Sequence, residues 1–264
     1  MSNALIGFSG FVGSTLRRQA QFDAHYRSTN IKEITGKSFE TIVCAGAPAQ
    51  KWLANRDPSA DLEKITGLIN HLKTAQCRRF VLISTVDVFK KPINVDENTQ
   101  IEEAGLHAYG LHRRQLEKFV EAHFQNHLII RLPGLVGPGL YKNIIFDFLN
   151  NNNLEAIESR SVFQFYPMPN LWYDIKTVLD NNLQLIHLTS VPISVADVAQ
   201  QGFGKPFEQT VDNQPALYDM QTCYAELFGT TGRYQYSQRE TIQAIRTYAQ
   251  SEPITLKQRI GGGV

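Results

Sequence analysis

Short apolar runs and longer amphipathic stretches alternate through the first half of the chain. "NALIGF", residues 3 to 8, is a brief apolar run ending in glycine and reads as a first strand; "GSTLRRQA" after it reads as a helix. "DAHYRS" is a second short strand, and "ETIVCAGA", with Ile42, Val43 and Cys44 in unbroken succession, is a third. "PSADLEKITGLINHLKTA" shows helical periodicity, with Leu62, Ile65, Ile69 and Leu72 on one stripe. A strand "RRFVLIST", a helix "AYGLHRRQLEKFVEAHF" and a strand "HLIIRLPG" complete the series. Strands that are apolar throughout and separated by helices predict an α/β protein with a parallel sheet covered on both faces.

The pattern changes after residue 135. Asn150 to Asn153 form a polar run, prolines become frequent and the segments are shorter and mixed. Residues 1–135 are therefore read as one domain and 136–264 as a smaller region packing partly back on it. Helices are expected near 143–149, 170–181, 194–200 and 214–228, and the tail "GGGV" is expected to be mobile.

Bulk composition narrows the classes. At 264 residues, 42% hydrophobic and 19% charged, the chain is an ordinary globular protein large enough for a sizeable core. A formal net charge of +1 gives no electrostatic reason to expect nucleic acid or an anionic membrane as partner. Cys44, Cys77 and Cys223 have neither pairing nor zinc spacing, so no metal is expected, and they read as small buried hydrophobes in a reducing compartment. The first residues lack a basic segment and their apolar run is broken by Gly7, Gly10 and Gly13, unlike a signal peptide. No apolar run approaches the roughly 18 residues that span a bilayer. A cytoplasmic location is the expectation.

Those three glycines, in "GFSGFVGS", lie directly after the first strand and open the first helix. In that context the first permits a tight turn, the second lets backbone approach a pyrophosphate, and the third lets helix pack closely on strand. The alternative is a glycine-rich turn with no ligand. Twenty residues past Gly7, where an acidic side chain would favour the ribose hydroxyls of NAD, stand Arg27 and Ser28. A guanidinium and a hydroxyl suit a 2′-phosphate, which points to NADP with NAD as the other possibility, unless Arg27 is simply a solvated loop residue. Farther on, Tyr109 and Arg113 are four apart on a predicted helix and share a face. They are either a phenol held beside a cation or two ordinary residues on a solvated surface.

Four pieces in order, "GFSGFVG", "FVLISTVDVF", "YGLHRRQLE" and "LIIRLPGLVGPG", resemble the extended short-chain dehydrogenase/reductase family, the NAD-dependent epimerase/dehydratase group. The resemblance covers residues 3 to 140, with a weaker echo in "LIHLTSVPISVADVAQ". It implies a Rossmann-type doubly wound sheet with a smaller C-terminal substrate-binding region. It also implies a catalytic set in which Thr85 holds the reacting oxygen of the substrate and Tyr109 transfers the proton. Arg113 stands where the family has the lysine that lowers the tyrosine pKa and holds the nicotinamide ribose. Phe11, Val12 and Ala45 join the glycines, Tyr109 and Arg113 as expected cofactor contacts, with Pro133 and Gly134 near the nicotinamide.

The chain also departs from the family. Too few residues separate "YRS" from "ETIVCAG" for the usual helix and full strand, and Lys90 replaces the glycine after the family's "VY" pair, with Phe89 in the aromatic place. The dehydratases' acidic pair reads Val86 and Asp87 here, which disfavours a two-carboxylate dehydration. Asp87 is a candidate base for epimerisation, or a carboxylate bonded to a nearby amide or arginine. Asn143, Gln164 and Tyr166 are candidate substrate contacts, the last two equally readable as packing residues. Three functions follow: an NADP-dependent oxidoreductase or epimerase of a nucleotide-linked sugar, a catalytically inactive dinucleotide-binding sensor or scaffold, and a reductase of a non-sugar carbonyl. By resemblance a homodimer through the Tyr109 helix is also expected.

Overall fold

The computed structural model describes residues 2–255; the "GGGV" tail lies outside the described residues. In chain order the strands are β1 Asn3–Ile6, β2 Ala24–Tyr26, β3 Ser38–Cys44, β4 Gln76–Thr85, β5 Ile93–Val95 and β6 His127–Leu132. They continue with β7 Gly134–Val136, β8 Val162–Phe163, β9 Phe165–Pro167, β10 Leu185–His187, β11 Ile193–Ser194 and β12 Asp219–Met220. The α-helices are α1 Phe11–Gln19, α2 Lys51–Arg56, α3 Pro58–Leu72, α4 Ala108–His123, α5 Ile144–Asn150, α6 Leu171–Asp180, α7 Val195–Asp197 and α8 Gln238–Ser251.

Six strands form one parallel sheet in the order β2-β1-β3-β4-β6-β10. Between β2 and β3 the chain makes only the 3₁₀ turn Ile31–Ile34, so the helix and strand that the short spacing left no room for are absent. Helices α3 and α4 cover one face, where Ile65, Leu72, Leu116 and Val120 meet Ile42, Phe80 and Leu82. Helices α1 and α6 cover the other, where Leu16, Leu171, Ile175 and Val178 meet Val43, Val81 and Ile130. Burying each such side chain stabilises the fold by about 1.5–3 kcal/mol.

The boundary near 135 is less clean than the sequence pattern implies. Helix α6 and strand β10 return to the sheet, and β12 pairs with β5 of the first half. A separate core, with Ile145, Phe148, Val195, Val198, Ile242, Ile245 and Tyr248, lies under α5, α7 and α8. The helix expected over 214–228 does not form. That segment holds β12 and a 3₁₀ turn Ala225–Phe228, while the actual helix is α8, opened by a capping box between Ser237 and Glu240. The α3 stripe is also shifted: Leu62 is exposed, and the buried face is Asp61, Ile65, Leu68 and Leu72. Cys44 is buried, but Cys223 is exposed and does not serve as a core hydrophobe.

Candidate active site

The order of the sheet turns at β1, with β2 on one side and β3 on the other, and the crevice beyond the carboxyl ends at such a point is where doubly wound sheets bind ligands. Gly7 leaves β1 with φ of 83°, and a Cβ there would stand 2.2 Å from the Ala45 carbonyl oxygen. A Cβ at Gly13 would stand 2.0 Å from the Gly7 carbonyl oxygen. Backbone contact therefore fixes those two positions as glycine. Gly10 is different. It is exposed at the N-cap of α1, and a Cβ would meet only an ordinary contact at 3.5 Å, so the space above it is open.

No side chain caps α1 and no acidic residue sits in its first turn, which leaves its N-terminal partial charge uncompensated. Phe11 and Val12 are half-buried at its start, and Ala45 is half-buried where β3 ends. Arg27 and Ser28 follow β2 and are exposed. The Arg27 guanidinium lies 5.8 Å from the centre of the Phe8 ring, and that of Arg17, which sequence reasoning passed over, lies 5.6 Å from the same ring. Two cations thus flank one aromatic beside the glycine loop.

Thr85 ends β4, and Tyr109 enters from the first turn of α4. Gly110 makes this possible, since a Cβ there would stand 2.0 Å from the Asp87 carbonyl oxygen. Without one, the first turn of α4 presses onto the chain leaving β4 and brings the Tyr109 phenol near the Thr85 hydroxyl, which accepts from the Asp87 N–H at 3.2 Å. His107 caps the helix by accepting from the Gly110 N–H at 3.0 Å, and Asn55 of α2 accepts from the Tyr109 N–H at 3.0 Å.

Arg113 is 3% exposed, and its Cζ lies 4.0 Å from the centre of the Tyr109 ring. The pair is therefore no solvated surface. Arg113 is also fully engaged elsewhere: its two terminal nitrogens donate to the Asp61 carboxylate at 2.5 and 3.0 Å, and Nη2 donates to the Pro48 carbonyl. Nε of Arg113 is the exception, a buried donor with no partner among the described residues. Burial raises the pKa of the Tyr109 phenol, the Arg113 charge opposes this, and the net position is above the ordinary tyrosine value.

Asp87 accepts from Lys51 Nζ at 2.7 Å and from the Tyr218 hydroxyl at 3.1 Å. Of the two alternatives for its bonding, neither an amide nor an arginine is the partner. Lys51 and Tyr218 left no local signal in the sequence, because α2 and the 216–222 segment meet Asp87 only through the fold. Burial works against the Lys51 ammonium, but Asp87 and Tyr218 outweigh it and hold its pKa above the ordinary lysine value.

The three candidate substrate residues are placed as structural groups. Asn143 caps α5: its Oδ1 accepts from the Ile145 and Phe146 N–H groups, and its Nδ2 donates to the Leu135 carbonyl. Gln164 is 1% exposed, its amide spent on Thr189, Ser190 and Met220, and Tyr166 is 0% exposed with its hydroxyl on Asp174 at 2.5 Å. Neither has a polar atom left to offer a ligand, and both belong to the core. Pro133 is buried at the end of β6, and Gly134 follows it because a Cβ there would stand 2.6 Å from the Gln164 carbonyl oxygen.

A buried ionic group behind the site fixes α4 against the sheet. Glu117 of α4 is 0% exposed; it accepts from Ser84 at 2.5 Å and from Arg131 at 3.0 and 2.8 Å. Burial would raise the Glu117 pKa, but Arg131, Ser84 and Arg114 outweigh it and hold the carboxyl below the usual range. Arg131 Nη1 donates to His187 Nε2 at 3.2 Å, while His187 Nδ1 donates to the Gln221 carbonyl at 2.9 Å. Burial keeps His187 neutral, with a pKa of about 4.

Neither a protein-family model nor a curated protein matches the chain by sequence. Solved structures do match it. A dTDP-4-dehydrorhamnose reductase from Clostridium acetobutylicum is 16% identical, with a TM-score of 0.70 over 94% of this chain and 98% of that one. RMD from Pseudomonas aeruginosa, solved with NADPH, is 16% identical, with a TM-score of 0.71 over 95% and 99%. A UDP-glucuronic acid 4-epimerase from Bacillus cereus, solved with NAD and a UDP-sugar analogue, is 15% identical, with a TM-score of 0.69 over 94% and 99%. What the chain shares with these structures is the fold, a Rossmann-type parallel sheet flanked by helices with a C-terminal region. Nearly the whole length is shared, the C-terminal region included. A shared fold carries no chemistry by itself, so the function has to be argued from the site.

Proposed function

We propose that the protein is an oxidoreductase or epimerase that uses NADP and acts on a nucleotide-linked sugar. The observation that carries this reading is the Thr85–Tyr109 hydroxyl pair. It stands at the carboxyl end of the sheet, the end at which the glycine loop also leaves β1, with a guanidinium 4.0 Å from the phenol ring. A dinucleotide fits the residues present. Gly7 and Gly13 close the loop tightly, the space above Gly10 is open, the α1 terminus carries no competing acid, and the buried Arg113 Nε lacks a partner among the described residues.

When bound, the nicotinamide supplies or accepts the hydride. The protein's own part is to hold a substrate oxygen between Thr85 and Tyr109 and to move one proton at the Tyr109 hydroxyl. Arg113 stabilises the phenolate that proton loss leaves. Arg17 and Arg27, both near the Phe8 ring, are the groups for a 2′-phosphate, and they support NADP over NAD. Val86 in place of an acid argues against dehydration by two carboxylates, while Asp87 remains the candidate base for epimerisation. The test is a fluorescence titration with NADPH and NADH, followed by a panel of nucleotide sugars with the preferred cofactor; failure to bind either dinucleotide overturns the reading.

A second reading, a dinucleotide-binding protein without turnover, is favoured by one observation. Arg113 is committed to Asp61 and Pro48, and the buried phenol stays above its ordinary pKa. NADPH binding with no conversion of any sugar would select it.

A further inference from the structure

The connections after β1 and β3 leave the sheet toward opposite faces: Leu16 of α1 packs with Val43 and Val81 on one, Ile65 of α3 with Ile42 and Phe80 on the other. Segments 7–11 and 45–49 are therefore the two walls of the crevice between those strands, the place where a doubly wound sheet takes a dinucleotide. Residues 138–142 touch both walls. The Tyr141 ring meets edge-on the ring of Phe11, the first residue of α1, with centres 6.5 Å apart. Lys142 Nζ donates to the carbonyl of Ala49, next to the Pro48 carbonyl that takes Arg113. The root of this segment is firmly held. Arg18 donates to the Pro138 carbonyl at 3.2 Å, the Glu252 carboxylate accepts from the Gly139 N–H at 3.0 Å, and the Tyr248 hydroxyl donates to the Leu140 carbonyl at 3.1 Å. The tip is not: Tyr141 is 52% exposed, and Lys142 bonds one neutral acceptor and no carboxylate among the described residues.

We propose that residues 138–142 form a strap drawn across the dinucleotide crevice, with Lys142 as its latch, and that a dinucleotide enters only after Lys142 releases Ala49. The gating purpose rests on the proposed function, while the latch itself does not. A hydrogen bond from a charged donor shifts the balance toward the closed strap by about tenfold or more. The share of open molecules then limits both the association rate and the apparent affinity of whatever binds beneath. Because the acceptor is a backbone carbonyl 93 positions away, the latch opens without stranding a buried charge.

Wild type and Lys142→Met are compared in two measurements. In ligand-free protein with ring-labelled Phe and Tyr, the nuclear Overhauser effect between Phe11 and Tyr141, assigned by its loss in Tyr141→Leu, reports strap closure. It is expected in wild type and should fade in Lys142→Met; equal intensity in both overturns the latch. The second measurement is stopped-flow association of NADPH at high salt, where loss of one charge no longer alters steering. Lys142→Met is expected to associate about tenfold or more faster than wild type. An equal rate overturns the gate. A slower rate, the mark of a lysine that binds the ligand's own phosphate, overturns it too. The first readout needs no ligand, so failure of both dinucleotides to bind removes the functional reading while the latch is still decided. An unchanged Overhauser effect removes the latch and leaves the functional reading standing.

Discussion

Tyr109 is held by Asn55 from α2, by Arg113 from its own helix and, through Arg113, by Asp61 from α3, with Thr85 of β4 nearby. Tyr109→Phe removes only the ionisable hydroxyl, so turnover should fall by roughly 10²–10⁴ while NADPH affinity stays. Steady-state rates and a cofactor titration on the same preparation check both. Arg113→Ala should behave differently, because it leaves the buried Asp61 carboxylate without its guanidinium. A fall in stability of about 3–5 kcal/mol is expected in a denaturant melt, and an unchanged melt would show that the pair is dispensable. Arg27→Ala should reduce the preference for NADPH over NADH by roughly tenfold, since a charge-assisted hydrogen bond contributes about 1.5–3 kcal/mol. Equal dissociation constants for the two nucleotides in wild type would contradict it. The juxtaposition of Tyr109 and Arg113 was legible because four residues on one helix set it, whereas Thr85 joined them only through the family resemblance. Lys51, Asp61 and Tyr218 were not legible, since their partners lie 36, 52 and 131 positions away.

At the scale of elements, α4 is fastened to β4, β6 and β10 by Ser84, Glu117, Arg131 and His187. Burial lowers the His187 pKa from 6.5 to about 4, so the unfolded chain binds the proton more readily between those values. The stability this contributes is therefore complete above about pH 6.5 and is lost as pH falls toward about 4. His187→Gln should flatten that part of a Tm-against-pH curve, and a slope equal to wild type would refute the assignment. The elements were read best where periodicity was strong, as in β3, β4, α3 and α4. The error at 214–228 has a physical origin: apolar residues there pack singly against β5 and the sheet, as Met220 does, and not along a helical stripe. The signal for α8 was present as "SQRE", a capping box ahead of Thr241, Ile242, Ile245 and Tyr248. Gln164 and Tyr166 misled because polar atoms among apolar neighbours look alike whether they await a ligand or bond within the core.

Across the whole molecule, the glycine loop after β1 and Thr85 at the end of β4 both lie at the carboxyl ends of strands of the parallel sheet, while the C-terminal region adds α6 and β10 to the sheet and a second core beside it. Among the described residues no helix is long and apolar enough to cross a membrane. A ligand that binds only the folded state raises stability by mass action, by about 2.7 kcal/mol at a hundredfold excess over its dissociation constant. NADPH should accordingly raise Tm, and a nucleotide sugar should raise it further. The most direct test of the account is proton NMR of a panel of nucleotide sugars incubated with the protein and NADP(H), wild type beside Tyr109→Phe. Reduction and epimerisation both change the sugar signals, so one spectrum covers either reaction. The account predicts conversion of at least one sugar by wild type and a loss of roughly 10²-fold or more in Tyr109→Phe; equal conversion by both proteins, or none by wild type, would contradict it.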